Sequence, residues 1–280
     1  LSPNDLPPIS TQSLEGRSPF LLVCDHAGRH LPATHGTLGL AASELDRHIA
    51  YDVGIAATSR RLSRGLDAAL IEQRYSRLLV DCNRPPTAPS SIPAISETTC
   101  IPGNLNVSAA ERERRLAEIF RPYHERIAAE IDRRLADGRR TVLIAMHSFT
   151  PAYKGVARPW HIGMLYGRDG RLAKALHALL VGEGRYTVGD NEPYAVSDLS
   201  DYSIPVHGEQ RGLVHVGIEI RQDLITRPEG QAEWADILTR LLPQALDALQ
   251  VAPAQPGPGL RSNPPAPAPG VAIVDEPNST

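Results

Sequence analysis

The chain has 280 residues, with 29 Lys+Arg against 32 Asp+Glu and a formal net charge of −3. Scattered charge without a basic stretch excludes nucleic acid as a main partner, and no apolar run approaches the roughly 20 residues that span a bilayer. Hydrophobic residues at 41% and charged residues at 22% fit a soluble globular protein with chain enough for one sizeable core.

Residues 1–14 read as a flexible N-terminus, with neither a basic start nor an apolar run of the secretory kind. Residues 251–280 carry 8 of the 25 prolines and no apolar periodicity, which predicts a disordered tail. Between them, 15–250 reads as a single domain. Phe20-Leu21-Leu22-Val23-Cys24 predicts a buried strand. Ser43 opens a helical pattern to about Leu66, with Glu44 and Asp46 in its first turn. Ala69–Ile71 and Arg77–Asp81 predict two more strands. Residues 108–137 predict a long charged helix, with Ser108 and Glu111 as a capping box and Pro122 as a break or kink. Strands are predicted at Thr141–Met146, His161–Tyr166 and Val214–Ile220, and helices at 171–182 and 231–249. Strands alternating with helices predict an α/β domain with a mainly parallel sheet covered on both faces.

Polar residues gather where these strands end. Asp25-His26 follows the first strand, Asn83-Arg84 the Arg77–Asp81 strand and His147-Ser148 the Thr141–Met146 strand, while Glu219 and Arg221 close the Val214–Ile220 strand. Sites in α/β sheets form at the carboxyl ends of strands, so these groups are expected in one crevice. Two imidazoles and a carboxylate, with water in the fourth position, make a catalytic zinc set. His26 and His147 would supply the imidazoles; the alternative is that each simply hydrogen-bonds at the edge of the core. Asp52, in an apolar stretch beside Gly54, is the favoured carboxylate, with His48 four residues earlier as its support and Asp25 as the competing ligand.

Glu219, between two isoleucines, points away from their side of the strand and suits proton transfer near a metal; its alternative is an ion pair with Arg221. Arg84, stiffened by Pro85-Pro86, and Asn83 suit a substrate carboxylate, as does Arg77, whose alternative is a pair with Asp81. Three polar loops read as pocket walls, contributing Arg158, Asn191 and His207; Arg221 joins the substrate-binding set and His207 is a candidate acid–base group or oxyanion donor.

The motifs Asp25-His26-Ala27-Gly28, His48–Gly54, Tyr75–Leu78, Asp81–Pro85, His147–Pro151, Arg158-Pro159-Trp160, Asn191–Tyr194 and Glu219–Leu224 stand in the order of the N-formylglutamate amidohydrolase family. The chain resembles that family over about 18–240. The resemblance implies a three-layer α/β/α fold with a mainly parallel mixed sheet, similar to zinc carboxypeptidases, and one zinc ion per chain. It further implies hydrolysis of a small N-acyl amino acid such as N-formyl-L-glutamate, in amino acid degradation. It also implies His26 and His147 as ligands, Glu219 as base and acid, and Asn83-Arg84 as the carboxylate clamp. Arg77 or His207 would then stabilise the oxyanion. Carboxypeptidase-type sites use His-x-x-Glu, whereas residue 29 is Arg, so the carboxylate ligand must come from elsewhere.

Two other readings stand beside this one. Cys24, near His26, and Cys82, beside Asn83, allow a cysteine hydrolase, and the same fold allows a non-catalytic carboxylate-binding protein. Three sparse cysteines point to a reducing compartment, the cytoplasm. The sequence leaves the oligomeric state open.

Overall fold

A computed structural model describes residues 1–251. Its elements run β1 (Ile9–Gln12), β2 (Phe20–Cys24), α1 (Ile55–Leu66), β3 (Ala69–Gln73), α2 (Ala109–Arg115), α3 (Arg121–Ala136) and β4 (Val142–Phe149). There follow β5 (Ile162–Leu165), α4 (Arg171–Gly182), β6 (Val188–Asp190), β7 (Val214–Arg221) and α5 (Pro228–Val251). Among the described residues these strands form one seven-stranded sheet in the order β1-β3-β2-β4-β7-β5-β6. The central four, β3, β2, β4 and β7, are mutually parallel. β1 runs antiparallel to β3 and β5 antiparallel to β7, with β6 parallel to β5. The three-layer, mainly parallel architecture is the expected one.

Two cores flank the sheet. Val142, Ile144 and Met146 of β4 and Val216, Ile218 and Ile220 of β7 pack under α1, α4 and α5. Leu143 and Ala145 face the opposite core, with Tyr123, Ile127 and Ile131 of α3. Strand alternation therefore delivers His147 and Glu219 to the α3 side. The two are register partners across the β4–β7 ladder. The chain leaves β2 toward β3 on one side and later returns to β4 on the other, which opens a crevice at the β2–β4 switch point.

Several expected elements differ. Residues 1–14 are not uniformly loose: β1 pairs with β3, and Tyr75 donates its hydroxyl to the Leu6 carbonyl at 2.6 Å. That order comes from backbone pairing, which leaves no apolar periodicity to read. The expected tail lies outside the described residues from 252 onward. The 43–66 pattern forms a short 3-10 turn at Ala42–Asp46 and an α-helix only from Ile55. Gly54 has φ 80°, and a Cβ there would sit 2.1 Å from the Ile225 carbonyl oxygen, so the chain turns at 47–54 and Asp52 precedes the helix. The 108–137 helix starts where expected, with Ser108 accepting from the Glu111 N–H at 3.1 Å. Glu111 spends its carboxylate on Arg114, Arg115 and His35 instead of the cap. Pro122 does not break the helix, because a π-turn at Leu116–Phe120 precedes it.

Arg77–Asp81 is not a strand. It is a buried loop, and its backbone finds partners outside any ladder. The Arg77 N–H donates to the Ala50 carbonyl at 3.1 Å and the Asp81 N–H to Ser91 at 2.7 Å. Asn104 donates to the Leu78 carbonyl at 2.7 Å and the Pro93 carbonyl at 2.9 Å. Arg115 donates to the Leu79 carbonyl at 3.0 Å and to Asn104 Oδ1 at 2.8 Å. Asn104→Ala strands the buried Leu78 carbonyl and removes one partner each from the half-buried Pro93 carbonyl and Arg115, and is expected to lower the unfolding free energy by about 1–3 kcal/mol in urea titration. A change below about 0.5 kcal/mol would contradict this account of the loop.

Candidate metal centre and crevice

A crevice of about 530 Å³ opens at the carboxyl ends of β2, β4 and β7. His26, Asp52 and His147 meet in it, with one ligand atom from each lying within 4.8 Å of the others. His147 Nδ1 is 3.0 Å and His26 Nδ1 3.4 Å from Asp52 Oδ2. The far nitrogens face two other carboxylates: His26 Nε2 is 2.7 Å from Asp81 Oδ1, and His147 Nε2 is 3.2 Å from Asp25 Oδ2. Metal-ligating histidines are held in this way by outer carboxylates, and here the arrangement presents both Nδ1 atoms to Asp52.

Charge bears on whether a cation suits these residues. Asp25, Asp52 and Asp81 are 1%, 4% and 3% exposed. Arg77 is the guanidinium among them, donating to Asp81 Oδ2 at 2.7 and 3.0 Å and to Asp52 Oδ1 at 3.3 Å. Three carboxylates against one guanidinium leave two buried negative charges. Without a cation, protons on the imidazoles must balance them. Burial opposes charge on His147, but Asp25 and Asp52 at its two nitrogens hold its pKa well above the usual value. Burial alone would raise Asp52, yet the two histidines hold it well below the carboxylate range. A divalent ion supplies the same two charges, and two imidazoles with a carboxylate suit zinc. The residues fit a metal.

Glu219 lies on the same wall, 7% exposed, with Oε2 buried and lacking a hydrogen-bond partner. Burial, reinforced by Asp52, pushes it up to about 7.

The remaining expected residues are divided. Arg84 lines the crevice, donating to the Ser200 carbonyl. Asn83 lines it too, with Oδ1 accepting from the Tyr202 and Ser203 N–H groups at 3.0 and 3.1 Å. Arg158 stands behind the wall with its guanidinium carbon 4.8 Å from the Tyr194 ring centroid and 4.9 Å from that of Tyr153, and its Nη1 is buried without a partner. Arg221 does not face the crevice. It pairs with Asp223 at 2.8 Å and reaches the 158–160 carbonyls, bracing the loop that carries Arg158. Asn191 is a turn residue at φ 52°, accepting from the Tyr166 N–H at 2.9 Å. His48 lines the crevice but lies 3.5 Å from Glu97 instead of supporting Asp52, because its segment is not helical.

His207 is buried on a π-turn at Ile204–Glu209, behind the crevice, with Nε2 3.0 Å from His124 Nδ1. Cys24 and Cys82 are fully buried, and burial pushes both thiols well up, so neither offers the cysteine hydrolase a nucleophile. Asp81 pairs with Arg77, as the alternative reading of that arginine has it, but its contact with His26, and the place of His124 behind the crevice, were not read from the sequence. An acid ending Leu78-Leu79-Val80, four residues after Arg77, was the available signal for Asp81; His124, inside a charged helical stretch, offered none.

Fold and donor set together define a three-layer α/β protein with a candidate mononuclear metal centre. The model of the N-formylglutamate amidohydrolase family matches residues 18–226, and the chain belongs to that family. It is 32% identical over 149 residues to an N-formylglutamate deformylase of Pseudomonas aeruginosa, covering 48% of this chain and 53% of that protein. It is 32% identical over 135 residues to the Pseudomonas putida deformylase, covering 42% and 47%. The chain thus spans about half the length of these curated relatives. Among solved structures, gene product Atu2144 of Agrobacterium tumefaciens is similar at a TM-score of 0.83 and 41% identity, covering 86% of this chain and 96% of that one. N-formylglutamate amidohydrolase of Ralstonia eutropha JMP134 shares the fold at a TM-score of 0.62 and 22% identity, covering 88% and 99%.

The buried histidine pair behind the crevice has a pH signature. Burial pushes His124 down to about 4 and His207 down to about 3, against an unfolded value near 6.5. The folded state thus excludes protons that the unfolded chain takes up, so stability is full above about pH 6.5 and falls toward pH 4. In metal-free protein, His207→Gln should lose about 2 kcal/mol less than wild type between pH 7 and 5 in urea titrations. Equal losses would contradict this assignment.

Proposed function

We propose that this protein is a metal-dependent amidohydrolase that cleaves the amide of a small N-acyl amino acid, with N-formyl-L-glutamate as the leading substrate and zinc as the ion. The observation that carries the reading is a two-histidine, one-aspartate donor set beside an unpartnered carboxylate near pKa 7 in the same crevice. Held by His26, Asp52 and His147, the ion would lower the pKa of water to about 7 and polarise the acyl carbonyl.

The chain's own residues do the rest. Glu219 takes a proton from the attacking water at its free Oε2 and returns it to the departing amine. Arg84 and Asn83 face the substrate's α-carboxylate, and Arg158, stacked behind the wall on the Tyr153 and Tyr194 rings, holds those rings in place. Arg77 orients Asp52 and Asp81 and is a positioning residue here in place of an oxyanion donor. His207, off the crevice, takes no part. Three free cysteines suit a reducing compartment, and we place the protein in the cytoplasm.

The test is release of free amino acid from N-formyl, N-acetyl and N-succinyl substrates by wild type and Glu219→Gln. The variant is expected to lose about 10²–10⁴-fold in kcat while retaining its metal. Wild-type rates in the variant would remove Glu219 from the mechanism, and no turnover of any substrate by the metal-loaded wild type would remove the activity.

A further inference from the structure

Asp25 does not line the crevice, yet it is among the most constrained side chains near it. Its Oδ1 accepts two hydroxyls, Tyr123 at 2.8 Å and Ser203 at 2.6 Å. Its Oδ2 has no hydrogen-bond partner of good geometry and lies 3.2 Å from His147 Nε2. The two hydroxyls come from separate elements. Tyr123 stands on α3, fully buried, and Ser203 sits ahead of the π-turn at Ile204–Glu209, with its own N–H given to Asn83 Oδ1 at 3.1 Å.

With Oδ1 saturated, the carboxylate cannot turn to offer His147 a different oxygen. We infer that Tyr123 and Ser203 set the affinity of the metal centre by clamping Asp25, which fixes the His147 ring with Nδ1 toward Asp52. This inference rests on the metal reading of the site. Neither hydroxyl touches the candidate ligand set directly, so both are positioning residues. A ring held in its ligating orientation loses less freedom on binding; removing the direct outer partner of a ligating histidine costs about 10–100-fold in affinity, and freeing Asp25 from both hydroxyls is expected to forfeit the lower end of that range.

The experiment is chelator competition with zinc at fixed pH, on the metal-free 280-residue chain as wild type, Tyr123→Phe, Ser203→Ala and the double variant. Ser63→Ala is the control for a lost buried hydroxyl, since Ser63 donates to the Ala68 carbonyl at 2.7 Å, away from the centre. The double variant is expected to bind one zinc about 10-fold or more weaker. Each single variant should fall in between, and Ser63→Ala should match wild type even if its Tm drops. A folded double variant within about twofold of wild type would overturn the clamp, as would an equal loss in Ser63→Ala. If wild type binds no zinc, the metal reading falls first and this inference with it.

Discussion

The site is governed by an excess of buried negative charge. Three aspartates from three separate segments lie around two histidines, and one arginine answers them. Such charges are too costly to bury uncompensated. The fold must hold either protons or a cation among them. Both nitrogens of each histidine already face carboxylates, so the metal-free site is satisfied only by doubly protonated rings. On the metal reading proposed above, such a site would exchange protons for the ion.

The rest of the architecture delivers those charges. β2 and β4 are neighbours at the sheet's switch point, which brings His26 and His147 to a ring-centroid separation of 5.2 Å although they are far apart in sequence. Register then sets Glu219 beside His147 on the same face. Asp52 reaches them because Gly54 lets the chain turn against Ile225 before α1 begins. Asp81 arrives on a loop that forms no ladder and depends on Asn104 and Arg115 for its backbone partners. Loops of that kind can be buried only when side chains take over the role of a sheet.

Much of this was legible in the sequence. Continuous apolar runs marked β2, β4 and β7, and a polar residue at each carboxyl end marked the crevice, because burial on both faces leaves only the strand ends for chemistry. Alternation placed Glu219. Side chains whose partners are remote in sequence could not be assigned. Leu78-Leu79-Val80 is as apolar as a strand and as buried, so periodicity could not separate loop from ladder. Likewise, the polar loops holding Asn191 and His207 read alike as pocket walls and Arg221 as a strand-end substrate contact, yet a turn, a buried histidine pair and a brace for the Arg158 loop are their settings.

The most direct test is calorimetry of zinc binding to metal-free protein near pH 7, in buffers of differing ionisation enthalpy. Exchange of protons for metal predicts one ion per chain with release of ~2 protons, one from each imidazole. Binding without proton release, or no binding, would contradict the charge balance on which this account stands.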